Sequence, residues 1–380
     1  MGGGGARAAY QVGFLRALAR LFPNLRIPYV TGVSAGAINA AHLASHHGTF
    51  LQSVQELTDL WERLTVQDVF RTDSRSLALN VLRWGKQLLS GAKPDKHVRS
   101  LVDTEPLRAY LTDVLHAVDG EITGIGYNIS TGRLKAAAIS TSSYTTGQSI
   151  TWVQGKDIQT WERPQRRARQ CVLTVDHVLA STALPLFFPA VRLEDGWHGD
   201  GSVRLTAPLS PALHLGAKRI IAISTRYAAT YEEADRPEVR GYPPPAQVAG
   251  ILMNSIFLDL LDNDALELER LNALLKTLPD TEWRGLRPVK LLVLRPSEDL
   301  GKLSSKYEPD LPRAIRFLTR SLGTQEISSP DFLSFILFQH DYLCTLMDLG
   351  EKDAMARADE IDAFIRGDDG PPTRPGTESA

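Results

Sequence analysis

Ser34 sits between two glycines in Gly32-Val33-Ser34-Ala35-Gly36. An apolar run, residues 27–33, leads into it, and a helix-forming run of small residues, 35–46, follows. A strand, a Gly-x-Ser-x-Gly turn and a helix together form a nucleophile elbow, which holds a serine hydroxyl out at the top of a sheet. The turn is tight enough that a side chain at position 32 or 36 would meet neighbouring backbone, so both positions call for glycine. Ser34 itself is expected in an unfavourable backbone conformation.

Two further stretches could act on the same chemistry. Gly2-Gly3-Gly4-Gly5-Ala6-Arg7-Ala8 runs directly into an apolar helix pattern, residues 8–21. Consecutive glycines before a helix leave amide N–H groups open, and the helix start adds partial positive charge. Such a loop suits a phosphate or the oxyanion of acyl transfer. The phosphate reading is the poorer one, because a P-loop ends in Gly-Lys-Ser/Thr and this loop ends in Ala-Arg-Ala. A flexible glycine-rich terminus is the plain alternative. The second stretch is Trp197-His198-Gly199-Asp200-Gly201-Ser202, where small neighbours leave the Asp200 carboxylate uncovered. Asp-Gly is also the commonest signature of an ordinary turn.

In this order and spacing, the three segments resemble the patatin-like phospholipase family over about residues 1–225. The matching pieces are Gly3-Gly4-Gly5-Ala6-Arg7-Ala8, Gly32-Val33-Ser34-Ala35-Gly36 and Asp200-Gly201-Ser202. The apolar segment 180–189 and Ala207-Pro208-Leu209 add to the likeness. The chain departs from the family pattern at Ala8, where a glycine is usual, and at Ser202, where glycine or alanine is usual. Only Met1 stands where a strand should feed the glycine loop, so an upstream extension is expected to restore an apolar strand.

The resemblance implies a catalytic pair, Ser34 as nucleophile and Asp200 as base, with Gly3, Gly4 and Gly5 as the oxyanion hole. It implies that Arg7 supports the loop through backbone carbonyls or a carboxylate; a solvated arginine at a helix start is the alternative. It implies no cofactor and no metal. The substrate expected is a lipid or other ester, and the activity a phospholipase A-type or carboxylesterase reaction. Aspartate is a weak base unless it is desolvated, and the apolar run 184–191 is a candidate source of that desolvation. Two other readings stay open. One is a Ser-His-Asp hydrolase using His214 or His340; the other is an inactive patatin-fold lipid-binding or scaffold protein. A Ser-x-x-Lys mechanism is excluded locally, since position 37 is alanine.

The elements that must hold these residues read as α/β. Strand patterns lie at 27–33, 122–129, 134–139, 149–153, 190–193, 219–224 and 289–294. Helical patterns lie at 8–21, 35–46, 50–63, 106–115 and 175–182. The alternation points to a mostly parallel sheet with helices on both faces, the three-layer α/β/α arrangement of the family. The expected organisation is a catalytic domain over 1–230, a loop or linker over 231–246, and a mostly helical portion over 247–365. Long helical patterns lie at 247–278 and 311–348. A disordered tail is expected over 366–380.

Composition excludes little but is consistent. The chain has 380 residues and a net charge of −2, so no overall field favours nucleic acid. Its two cysteines, Cys171 and Cys344, read as buried free thiols. With no signal-peptide pattern and no run of transmembrane length, a cytoplasmic location is expected, with peripheral membrane contact as an option. Two stretches bear on that contact. Residues 68–104 mix leucines and Trp84 with arginines and lysines, reading as a packed amphipathic helix or a lipid-facing cap. The cluster 163–169 reads as a solvated basic loop or a headgroup site. His42 and His46 share a helix face but lack the further ligands that zinc needs.

Overall fold

The computed structural model describes residues 1–71, 100, 102–235, 241–312, 316–317, 319–320, 323–326 and 329–367. Most of the candidate cap at 68–104 and the candidate tail at 366–380 lie outside the described residues.

The fold is α/β, with a central sheet flanked by helices. The first elements match their sequence patterns: α1 (Ala9–Leu21), β1 (Tyr29–Val33), α2 (Ala35–Ser45) and α3 (Phe50–Arg63). The remaining strands are β2 (Ala136–Ser143), β3 (Ser149–Gly155), β4 (Glu162–Arg163), β5 (Arg166–Gln170), β6 (Val191–Leu193), β7 (Gly196–Asp200), β8 (Arg219–Ile223) and β9 (Lys290–Leu294). β2 is the organiser. Its residues Ala136 to Ser142 pair antiparallel with β3. Its other edge is shared: Ala136 to Ser140 pair parallel with β1, and Thr141 to Ser143 pair antiparallel with β7.

The sheet is mixed rather than mostly parallel. Parallel pairs β1–β2 and β3–β5 stand beside antiparallel pairs β2–β3, β2–β7, β4–β5 and β6–β7. The short Tyr144–Gln148 connection explains β2–β3, since a tight turn can join only antiparallel neighbours. β8 and β9 form a separate pair. Met1 to Gly3 lie beside the end of β1: the Met1 amino group donates to the Thr31 carbonyl at 2.8 Å, and Val33 N–H donates to the Met1 carbonyl at 3.2 Å. Burial pushes that amino group down to a pKa of about 6.

Three sequence expectations change. Residues 122–129 do not form a strand; Thr123–Ser130 is a helix. Ile122, Ile125 and Asn128 are buried at a spacing of three, and a side chain on Gly124 would strike the Ser45 carbonyl at the end of α2. Asn128 Nδ2 donates to the Ala44 and His46 carbonyls, closing the open end of α2. Residues 163–169 are not a loop but lie mostly in β4 and β5. Arg167 and Arg169 turn onto Asp195, so the cluster is partly neutralised in place. The cysteines are free but half-buried.

The later part of the chain also differs in detail. The pattern at 247–278 is two helices, Pro245–Phe257 and Asp259–Thr277, broken at Leu258. In 311–348 the described residues include a short helix, Asp331–Ile336, and the start of a longer one, His340–Ala356. That longer helix lies against α1 at very close range: a side chain on Gly13 would strike the Met347 carbonyl, and one on Gly350 the Tyr10 carbonyl. Of residues 231–246, Tyr231–Ala234 is a short helix. Among the described residues no helix is long and apolar enough to cross a membrane.

Candidate active site

The elbow forms as its glycines require. Ser34 follows β1 with φ 54° and ψ −136°, a strained conformation for a residue with a side chain. A Cβ on Gly32 would come within 2.5 Å of the Gly36 carbonyl, and one on Gly36 within 2.3 Å of the Gly2 carbonyl. The Ser34 amide donates to Ser181 Oγ at 3.0 Å, and Ser181 donates onward to the Ser140 carbonyl at 2.7 Å. Ser181 is a supporting residue that sequence reasoning placed only within an apolar segment.

The register on β2 brings the nucleophile candidate and the carboxylate together. Val33 is opposite Ser140 and Asp200 is opposite Thr141, so β1 and β7 end at adjoining positions on one edge. Ser34 Oγ donates to Asp200 Oδ2 at 2.6 Å. The Ser202 amide donates to Asp200 Oδ1 at 2.9 Å. Asp200 is fully buried. Burial pushes its pKa up to about 7, against the opposing pull of the Ser34 and Ser202 hydrogen bonds. A carboxylate near neutrality is matched to proton transfer at physiological pH.

Glycines 3 to 5 lie against this pair. A Cβ on Gly3 would fall within 2.9 Å of Ser34 Cβ. Gly4 and Gly5 have φ of 137° and 56°, conformations that favour glycine. Gly5, Ser34 and Asp200 border one apolar cavity. The loop is held from several sides. Gln11 Nε2 donates to the Gly2 carbonyl, Thr225 Oγ1 to the Gly3 carbonyl, and the Arg7 amide to the Gly4 carbonyl. Asn39 joins Gln11 and the Ala8 carbonyl to Trp61, whose indole N–H donates to Asn39 Oδ1 at 2.7 Å. The methyl of Ala8 is fully buried, so the departure from glycine is accommodated by packing.

Arg7 is buried, not solvated. Its guanidinium pairs with Asp331, donates to Ser334 Oγ at 2.6 Å and lies 4.8 Å from the Phe335 ring centre. Nothing in the local sequence marks Asp331 as its partner.

The histidines of the alternative triad are engaged elsewhere. His214 stacks on Trp161 with ring centres 4.5 Å apart, and His340 Nδ1 lies 2.7 Å from the Glu62 carbonyl. His42 faces the Ser53 carbonyl at 2.9 Å, and burial lowers its pKa to about 4. Among the described residues no three His, Cys, Asp or Glu side chains converge on a point where a metal could bind.

A mixed sheet thus sets a serine elbow beside an aspartate and a glycine loop. The family description "Patatin-like phospholipase" matches residues 1–213, and the chain belongs to that family. Among solved structures, VipD from Legionella pneumophila is similar over 94% of this chain at 13% identity, with a TM-score of 0.40. This chain covers 66% of the VipD chain, under two thirds of its length. Comparison with curated proteins gives no significant match.

Proposed function

We propose that this protein hydrolyses carboxylic esters of lipid type through a Ser34–Asp200 pair. The observation that carries the reading is the 2.6 Å hydrogen bond from Ser34 Oγ to a fully buried Asp200 carboxylate at the end of a strained elbow.

Ser34 attacks the ester carbonyl carbon while Asp200 takes the hydroxyl proton. The carbonyl oxygen gains the negative charge, and the amides of Gly3, Gly4 and Gly5 are the donors that receive it. Each such donor is worth about 3 kcal/mol in related acyl-transfer sites. Collapse of the intermediate expels the alcohol, which takes the proton back from Asp200. Water then repeats the sequence on the acyl-enzyme, with Asp200 again as base. Burial of Asp200 supplies the basicity that an exposed aspartate lacks. A base of this strength favours ester over amide leaving groups. Substrate at the membrane surface and a cytoplasmic setting belong to the same reading.

Fluorophosphonate labelling tests it directly. Ser34 should take the label, Ser34→Ala should not, and Asp200→Asn should lose ester hydrolysis by about 10²-fold or more while His340→Ala keeps it. A folded protein that resists labelling would instead support an inactive lipid-binding role, the reading that the departures at Ala8 and Ser202 favour.

A further inference from the structure

The apolar cavity beside Ser34 is walled in part by residues beyond the family-matched region. Gly5, Ser34 and Asp200 border it on the polar side, and Phe335, Ile336 and Phe338 contribute to its wall. Those three lie in or just after the helix Asp331–Ile336, well past residue 213. We propose that this segment, through Phe338, sets the length of acyl chain that Ser34 accepts, and that the preferred substrates are short-chain esters. The proposal rests on the ester-hydrolase reading above.

The wall cannot drift away from the nucleophile. A side chain on Gly5 would overlap the Phe335 carbonyl, so helix and loop touch main chain to main chain. Arg7, from the same loop, is bonded to both Asp331 and Ser334 on that helix. Phe335 is further braced by Phe257, with ring centres 5.7 Å apart. The distance from Ser34 to the wall is therefore fixed by the same contacts that fix the glycine loop.

The space left is small. The cavity measures roughly 50 Å³, about a third of the ~150 Å³ that suffices for a benzene molecule. On that scale a long acyl chain does not fit without moving the side chains that line it. A longer chain must displace packed side chains of this wall, and overpacking a filled site is unfavourable. Phe338 is the position to change. It is 8% exposed, and its ring makes none of the contacts that anchor Arg7 or Gly5.

The test compares p-nitrophenyl acetate, butyrate, octanoate and palmitate on the full chain and on Phe338→Ala and Phe338→Leu. In the unaltered protein kcat/KM should peak at acetate or butyrate. The octanoate-to-acetate ratio should rise about tenfold or more in Phe338→Ala, with Phe338→Leu between. If the alanine variant does not fold, the leucine variant alone decides. Palmitate turned over as well as butyrate, or a chain-length profile identical in all three proteins, overturns the proposal while labelled Ser34 leaves the hydrolase reading standing. No turnover of any ester together with no labelling of Ser34 overturns both.

Discussion

Arg7 and Asp331 stand 324 positions apart in the chain, yet their charges pair, with the guanidinium buried and the carboxylate partly so. The pair joins the loop carrying Gly3, Gly4 and Gly5 to a helix outside the family-matched region. Asp331 also accepts from Asn254 Nδ2 at 2.6 Å, so three distant segments meet on one carboxylate.

Removing that carboxylate leaves a buried guanidinium uncompensated. Asp331→Ala should cost about 3–5 kcal/mol of stability, read by urea unfolding. At temperatures where the variant stays folded, kcat should fall more than KM rises, because the donors to the oxyanion lose their support. A change confined to KM would contradict the positioning role.

The raised pKa of Asp200 has two consequences of defined sign. As a base it must be ionised, so kcat/KM should climb with pH and level off above about 7. For stability, a carboxyl whose pKa is higher folded than unfolded favours the folded state below its unfolded value and loses that contribution as pH rises towards 7. Asp200→Asn should therefore be more stable than the unaltered protein at pH 8, on the order of 4 kcal/mol for a shift of about three units, and nearly equal to it at pH 4. Thermal melts at the two pH values check this.

Ser181 holds the Ser34 amide, a buried donor at the strained turn. Ser181→Ala should cost about 1–3 kcal/mol, the usual penalty for an orphaned buried group, and slow labelling of Ser34. Ser181→Thr, which keeps the hydroxyl, should recover part of the labelling rate.

Ser202 replaces the glycine or alanine usual in the family. Its buried hydroxyl meets no partner of good geometry, although its amide serves Asp200. Ser202→Ala should then change stability by no more than about 0.5 kcal/mol, or raise it, and leave ester hydrolysis in place. A large loss of kcat would show that the hydroxyl takes part.

Local features were readable in the chain. Gly32, Ser34 and Gly36 report an elbow because turn geometry depends on which residues lack a Cβ. The helix patterns at 8–21, 35–46 and 50–63 report α1, α2 and α3 because apolar spacing follows helix period. Residues 122–129 misled because a short apolar run with glycines fits strand and helix alike. What identified it as a helix is its packing on the end of α2, a contact formed across more than seventy positions.

The sequence by itself determined which side chains could react and how the chain turns around Ser34, since those depend on neighbours a few positions away. Only the tertiary structure decided that β1 and β7 end side by side on β2, that Asp200 is fully buried, and that Asp331 meets Arg7. Strand register, desolvation and a buried ion pair are properties of segments far apart in sequence, and they exist only once the whole core has closed around them.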